Sequence, residues 1–375
     1  PHLTPLTPAL AGALFLLATP AFAADPFESG EDAGLTLRSL GNLSWSGRFD
    51  GDGQLNTARP DAHAPIGVMG DHLHAEGEWM VSLRAMTMHM DGLRNGTDRL
   101  SSSEVLSPPP APDGQFPVVP TEMDMNMIML GGMLAPTDDT TLMVMVPWLD
   151  NRMEHVNAAG VEFVTRSRGF GDLRVSALHR LWEGDDQQLL RNAGLSLPTG
   201  TTNAKDNNPL SGGQDVRLPY PMQLGTGTWD IIPGLTYTAQ DEVVSSGAQL
   251  MFRMPLNEND RGYRRGQRAD FSAWVAHRFS DQASGSVRVA YGRWKDISGA
   301  DDTLNPALIN TADPERQGGS RVDLFLGLNV QATEGSWAGH RVALEVGAPV
   351  YQKLDGPQLE VDHIVTLGWQ KAFMR

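Results

Sequence analysis

The sequence predicts an all-β protein whose fold is an antiparallel transmembrane β-barrel of about 12 strands. Three observations lead to this prediction. The first is a series of segments that alternate between polar and apolar residues, and the second is a regular alternation of short and long connections between them. The third is an amino-terminal segment with the features of an export signal. Together they indicate a chain that crosses a membrane with strands rather than with helices.

Twelve segments of about 10–14 residues show the period-2 alternation that is typical of half-buried strands. In residues 320–332, for example, Val322, Leu324 and Leu326 share one face, whereas Asp323 lies on the other. Aromatic residues near the segment ends fit the girdles of membrane barrels. The predicted strands are 77–91, 122–134, 140–150, 170–183, 187–197, 227–239, 243–255, 268–279, 283–296, 320–332, 338–348 and 361–373.

The connections between these segments alternate between short and long without exception. Short turns, such as 135–139, separate the long loops, which are 92–121, 151–169, 198–226, 256–267, 297–319 and 349–360. Bacterial outer-membrane barrels have this layout, with short periplasmic turns and long extracellular loops. We therefore expect residues 77–375 to form a barrel in the bacterial outer membrane, in contact with its lipid.

The amino-terminal residues predict an export signal that is followed by a segment without a strong period. Residues 9–19 are largely apolar, and Ala21 and Ala23 supply an A-x-A-type cleavage pattern, so residues 1–23 are predicted to be a signal peptide. Residues 24–76 are rich in Gly, Asp, Asn and Pro. We interpret them as a periplasmic lead-in or a partial plug of the barrel.

The composition excludes several classes of function. The chain of 375 residues has no cysteine, which excludes disulfides, thiolate metal sites and cysteine nucleophiles. Its 45 acidic residues against 29 Lys and Arg give a net charge of −16, which disfavours binding to nucleic-acid phosphates. The sequence also lacks the G-x-S-x-G, H-E-x-x-H, P-loop and dinucleotide-binding motifs. We therefore predict neither a catalytic site nor an enzymatic activity.

Methionine is concentrated in one part of the chain, since 13 of the 17 methionines lie between Met69 and Met153. Most of them are spaced by two residues, which places them on one face of a strand. Arg84 shares that face in the first segment. Because an arginine that faces the bilayer centre costs about 2–4 kcal/mol, the methionines are predicted to face the lumen.

Thioether sulfur is a soft ligand that suits Cu(I) better than zinc or magnesium, so these methionines predict a copper site. His72 and His74, just before the first segment, form a further potential chelating pair. Two other interpretations stay open, namely a path for a hydrophobic solute and mere packing by flexible side chains. The candidate metal-binding residues are Met86, Met88, Met90, Met123, Met125, Met127, Met129, Met143, Met145, His72 and His74.

Residues 64–99 and 120–147 resemble a family of outer-membrane proteins that are called transporters and are grouped with meta-pathway phenol-degradation proteins. Residues 70–80, which read GDHLHAEGEWM, and residues 86–90 are typical of a Met-rich subgroup. The resemblance implies an outer-membrane β-barrel that imports aromatic or other hydrophobic compounds. Residues and resemblance together predict an outer-membrane channel that binds or passes a soft metal, with copper as the preferred ion. The alternative prediction is that the channel passes hydrophobic or aromatic compounds.

Overall fold

The structure is a computed structural model that describes residues 59–209 and 211–373. The predicted signal peptide, residues 1–23, and residues 24–58 of the predicted lead-in lie outside the described residues. Within the described ranges, no helix is both long enough and apolar enough to cross a membrane.

Strands make up most of the regular structure in the described ranges. The short helix Ser102–Val105 lies in a connection between two of them. The strands are β1 (Trp79–Gly96), β2 (Asp98–Leu100), β3 (Val118–Thr137), β4 (Thr140–Asn157), β5 (Glu162–Phe170), β6 (Arg174–Gly184), β7 (Gln187–Ser196), β8 (Lys205–Asp206), β9 (Val216–Arg217), β10 (Asp230–Gln240), β11 (Val244–Pro255), β12 (Tyr263–Arg264), β13 (Arg268–Arg278), β14 (Ala283–Trp294), β15 (Ser298–Gly299), β16 (Gly319–Gln331) and β17 (His340–Phe373).

A closed ring of antiparallel neighbours forms the barrel. Its order is β1, β3, β4, β6, β7, β10, β11, β13, β14, β16 and β17, and β17 pairs back to β1. A ring in which every neighbour is antiparallel needs an even number of spans. The strand β17 supplies two of them, because residues 341–354 pair with β16 and residues 354–373 pair with β1. Twelve spans therefore close the barrel, and the predicted fold class is confirmed.

The predicted loops 151–169 and 349–360 are wrong in large part. Strand β4 continues to Asn157 and pairs there with β5, and 349–360 lies entirely within β17. The outward side chains of the β4 extension include Arg152 and Glu154, which form an ion pair. Because these outward positions are charged, the extension does not show the alternation by which the other strands were predicted.

The barrel strands alternate between an exposed apolar face and a covered inner face. In β3, Ile128 and Leu130 are each 53% exposed, whereas Met129 between them is 7% exposed. Residues Leu324 and Leu326 of β16 are also exposed, and Phe325 between them is buried. Exposed aliphatic side chains of this kind form the surface that faces lipid in membrane barrels.

Residues 59–78, called the inner segment below, lie against the inward faces of the barrel strands. At its start, Arg59 donates a hydrogen bond of 2.6 Å to the carbonyl of Asp241, in the short turn between β10 and β11. At its end, Gly77 donates one of 2.8 Å to the carbonyl of Ala135, beside the short turn between β3 and β4. The inner segment therefore enters and leaves the lumen at the short-turn end.

Inward side chains of six strands hold the backbone of the inner segment. Arg341 of β17 donates to the carbonyl of Ala64 at 2.8 Å, and the amide of Gly67 donates to Glu345 Oε2 at 3.1 Å. Further hydrogen bonds to this backbone come from Arg84, Thr141, Thr236, Gln249 and Ser284. These side chains meet part of the bonding requirement that a strand ladder would otherwise meet, so the segment can lie inside without strand periodicity.

Candidate functional site

The methionines of β1, β3 and β4 lie on the faces opposite to the exposed aliphatic side chains. The strand register sets Met86 opposite Met127 and Met88 opposite Met125. Directly opposed side chains on one face have Cβ atoms about 4.5–5.5 Å apart, so the thioethers form a continuous surface. This surface is called the methionine wall and consists of Met80, Met86, Met88, Met90, Met123, Met125, Met127, Met129, Met133, Met143, Met145 and Met153.

The methionine wall divides into two parts along the barrel axis. The lower part, near the short turns, packs against Leu73 of the inner segment and contains Met80, Met129, Met133, Met143 and Met145. The upper part packs against residues of the long connections and of β16 and β17. These upper contacts join Met123 and Met153 to Leu218 and Met222, and Met86, Met88 and Met90 to Phe325, Val361 and Ile364.

Charged side chains line the opposite side of the barrel. Strands β11, β13 and β14 lie six positions away from β1, β3 and β4 in the ring of twelve spans. On β13, Arg268 forms an ion pair of 2.8 Å with Asp270, and both side chains keep more than 40% of their surface exposed (43% and 42%). This surface is called the charged wall and comprises Asp230, Arg253, Arg268, Asp270, Arg288, Arg321 and Asp323.

Three histidines and an aspartate of the inner segment lie together beside the lower part of the methionine wall. Asp71, His72 and His74 are 4–7% exposed. His63 is half-buried as a residue, but its Nδ1 is shielded from solvent. The ring centroids of His63 and His72 are 4.6 Å apart, and those of His72 and His74 are 4.9 Å apart.

Asp71 organises this cluster. Its Oδ2 accepts a hydrogen bond of 2.8 Å from the amide of Ala64, which brings His63 close to His72 across a turn of the chain. Its Oδ1 lies 3.0 Å from Nδ1 of His72, although the two atoms are not aligned for a hydrogen bond. One ligand atom from each of His63, Asp71 and His72 lies within 4.8 Å of the others.

Burial governs the ionisation of these groups. It lowers the pKa of His63 well below the usual value, and the positive charge of Arg341 adds to this effect. Burial also lowers the pKa of His74, to about 3, with a further contribution from His72. For Asp71 burial acts to raise the pKa, but the interactions with His72 and His63 outweigh it and the pKa is lowered. At neutral pH, His63 and His74 are therefore neutral and Asp71 is ionised.

A small cavity separates this cluster from the methionine wall. Its volume is about 20 Å³, which is room for one water molecule or one ion but not for an aromatic ring. The inner segment contributes Met69, Asp71 and His72 to its lining. The wall contributes Met80, Met129, Met133, Met143 and Met145.

The structure brings together some of the predicted metal ligands and separates others. His72 lines the cavity with three of them, Met129, Met143 and Met145. His74 lies beside His72 but outside the cavity lining, with its Nδ1 3.6 Å from Glu78. The other predicted ligands do not line the cavity. Met127 packs against the lower part of the methionine wall, and the rest belong to the upper part; they are Met86, Met88, Met90, Met123 and Met125.

Sequence reasoning missed two members of the cluster, His63 and Asp71. Asp71 directly precedes His72, which was an available signal. No spacing rule indicates His63, because the turn closed by Asp71 and Ala64 brings it close.

Comparison with known protein families shows a match over residues 133–356, more than half of the chain, to the family described as "Putative MetA-pathway of phenol degradation". This match confirms the resemblance seen in the sequence, while the Met-rich subgroup stays a prediction. No curated protein matches the chain.

Solved structures show the same architecture. An outer membrane channel from Pseudomonas putida F1 superposes with a TM-score of 0.55 at 13% identity, covering 82% of this chain and 99% of that chain. The transport unit of the autotransporter AIDA-I from Escherichia coli gives a TM-score of 0.48 at 10% identity, covering 80% and 91%. The first likeness confirms the β-barrel fold that is typical of outer-membrane proteins.

Proposed function

The chain belongs to the family described as "Putative MetA-pathway of phenol degradation", and from this premise we propose that it is a channel for small aromatic compounds that carry an acidic group. The proposed solutes include phenolates and aromatic carboxylates. The proposal takes the aromatic alternative as the main function and refines it by the charge of the solute.

The contrast between the two walls of the lumen carries this proposal. Methionine sulfur makes favourable contacts with aromatic rings, worth about 0.3–1.5 kcal/mol each. The charged wall carries four guanidinium groups, each of which forms an ion pair with a carboxylate of the barrel, and guanidinium groups bind carboxylates in a two-point geometry. In addition, Nε of Arg174 is buried without a hydrogen-bond partner among the described residues. An aromatic anion interacts with both walls, through its ring with the methionine wall and through its charge with the charged wall. A neutral apolar solute interacts favourably with the methionine wall alone.

A crevice among the long connections supplies an entrance of suitable size. It has a volume of about 490 Å³ and is lined by residues that include Pro112, Phe116 and Leu308. Small-molecule sites span about 300–1,000 Å³. The guanidinium of Arg316, which also lines the crevice, lies 5.7 Å from the ring centroid of Phe116. The same guanidinium forms ion pairs of 2.9 Å with Asp113 and Asp313, which also line the crevice, so the proposed entrance combines apolar surface with paired charges as the lumen does.

We further propose that the inner segment is a partial plug at the periplasmic end. Its hydrogen bonds to side chains of six strands and to the turn between β10 and β11 support this proposal. A solute that passes the two walls must then move beside the inner segment or displace it.

Liposome swelling with the purified protein tests the proposal. Benzenesulfonate is a suitable probe because its charge is permanent, and methanesulfonate matches its charge without the ring. We expect benzenesulfonate to enter several-fold faster than methanesulfonate when both are scaled to protein-free diffusion. Arg268→Gln should reduce benzenesulfonate entry several-fold. The outward-facing Arg191→Gln is the matched control and should leave it unchanged. Equal entry of both anions, or no effect of Arg268→Gln, contradicts the proposal.

A second candidate function is the binding or passage of Cu(I), which the direct pairing of thioethers favours. Met86 faces Met127 and Met88 faces Met125 across adjacent strands. Such pairs offer soft ligands for a monovalent soft ion at several successive levels of the lumen. In this function, copper would be the transported ion and not a resident cofactor.

Cu(I) titration against a competing chelator tests this second candidate. Wild-type protein should bind Cu(I) with a submicromolar Kd, and the joint replacement of Met86, Met88, Met125 and Met127 by Leu should abolish that binding. The volume of the side chains is nearly conserved, so the barrel should still fold. Unchanged binding in the variant, or no binding in wild type, rejects the candidate.

A further inference from the structure

The cluster of His63, Asp71 and His72 combines a buried carboxylate with buried ring nitrogens that have no hydrogen-bond partner among the described residues. Nδ1 of His63 and both ring nitrogens of His72 are shielded from solvent and make no hydrogen bond to the described residues. A buried polar group without a partner costs about 1–3 kcal/mol, so such groups normally serve a purpose. Here one ring nitrogen of each histidine lies close to the other and to a carboxylate oxygen of Asp71.

The three residues have the geometry of a metal site. One ligand atom of each lies within 4.8 Å of the others, close enough for one ion to contact all three after small rotations of the side chains. The carboxylate is fixed by its bond to the Ala64 amide, which leaves Oδ1 directed at His72. Asp71 and His72 also line the cavity of about 20 Å³, which has room for one water molecule next to these ligands.

We infer that His63, Asp71 and His72 bind one divalent cation, Zn²⁺ or Cu²⁺, inside the barrel. Two imidazoles and one carboxylate are borderline ligands, which suit these ions better than Cu(I) or Mg²⁺. This site is separate from the channel function and from the methionine wall, since its ligands come from the inner segment alone.

The bound ion would hold the inner segment in its turn. Residues 63 and 72 lie at the two ends of a loop that Asp71 already closes through Ala64, and the ion adds a second closure. Arg341 and Arg84, which bind backbone carbonyls of the inner segment, bring positive charge near the site. The carboxylate of Asp71 is therefore essential, because it offsets part of that charge.

Metal analysis of the refolded full chain in detergent tests the inference. The protein is stripped with EDTA, incubated with ZnSO₄ or CuSO₄, desalted and analysed for metal per chain. We expect one retained ion in wild type. The variants His63→Gln, His72→Gln and Asp71→Asn should each bind at least tenfold more weakly. His155→Gln is the matched control, because His155 is 2% exposed but lies on β4 outside the cluster, and it should retain one ion.

A second measurement needs no variant and so does not depend on the folding of the substituted chains. The electron paramagnetic resonance spectrum of Cu²⁺-loaded wild type should show hyperfine coupling to two imidazole nitrogens. Absence of a retained ion in folded wild type overturns the inference. It is also overturned by full retention in both folded histidine variants, or by a Cu²⁺ spectrum without nitrogen coupling.

Discussion

The side chains of the methionine wall and of the inner segment are held in position by different means. In the methionine wall the strand ladder fixes each position, so that Met86 lies opposite Met127 by register. The inner segment has no ladder of its own, and its backbone is bonded to side chains such as Arg341 and Glu345. A position in the wall therefore depends on many equivalent bonds, whereas the inner segment depends on a few individual side chains. Single substitutions should affect the two regions differently.

Loss of the Glu345 charge should have the largest effect. Glu345 is 1% exposed. Both of its carboxylate oxygens accept hydrogen bonds from Arg288, and Oε2 also accepts one from the amide of Gly67. Glu345→Gln leaves the buried Arg288 charge uncompensated, which typically costs about 3–5 kcal/mol. We expect a loss of this size in urea unfolding from lipid vesicles, together with faster hydrogen exchange in the inner segment.

Asp270→Asn is the matched control for this prediction. It breaks the ion pair with Arg268 in the charged wall, where both side chains are about 40% exposed (42% and 43%). Exposed pairs contribute at most about 1 kcal/mol. Equal losses in the two variants would show that the Glu345 pair does not have the special role assigned to it.

The orientation of the methionine wall predicts the second largest effect. Leu130 is 53% exposed on the outer face of β3, and Met127 is directed to the opposite side. Leu130→Arg should destabilise the barrel by about 2–4 kcal/mol, the cost of arginine at the bilayer centre. Met127→Arg should cost less, because the lumen admits water. If vesicle unfolding gives the reverse order, the thioethers face lipid.

The inner segment should also respond to pH. Because burial lowers the pKa of His63 and His74, the unfolded chain takes up protons first as the pH falls below about 6.5. Stability of the docked segment should then decrease by up to about 1.4 kcal/mol per pH unit for each histidine. The lowered pKa of Asp71 contributes stability that is lost only below its usual value of 3.8.

Hydrogen exchange of residues 59–78 between pH 7 and pH 4.5, corrected for intrinsic rates, checks this prediction. Protection should fall with pH in wild type and fall less steeply in His63→Gln and His74→Gln. Amides of β3 serve as the internal control and should keep their protection. A uniform loss in both regions would indicate global unfolding instead of release of the segment.

The same contrast explains how much of the fold followed from the sequence. The lipid-facing alternation of residues such as Leu324 and Leu326 has a fixed physical cause, and it predicted the twelve spans. The alternation of short and long connections predicted the outer-membrane location. Outward residues such as Arg152 are charged and do not face lipid, so they do not produce this alternation. The sequence analysis therefore missed the strand extensions of β4 and β17.

The candidate site was predictable to a smaller extent. The period of two and the cost of placing Arg84 in lipid predicted the direction of the methionines. The cluster around His72 depends on the contact of Asp71 with Ala64 and on side chains from distant strands. No local pattern encodes such contacts, so His63 could not be assigned to the site before the structure was known.

The smallest expected effect separates sulfur chemistry from packing within the methionine wall. Met88→Leu nearly conserves volume, so the free energy of unfolding should change by less than about 1.5 kcal/mol. The lost sulfur–aromatic contact is worth about 0.3–1.5 kcal/mol, which corresponds to at most a tenfold decrease in benzenesulfonate entry relative to methanesulfonate. Met80→Leu, in the lower part of the wall, is the comparison variant, because Met80 is 4% exposed and packs in the lower cluster. If neither variant changes the ratio of the two anions, the thioethers of the wall serve packing alone, and the charged wall is left as the source of selectivity.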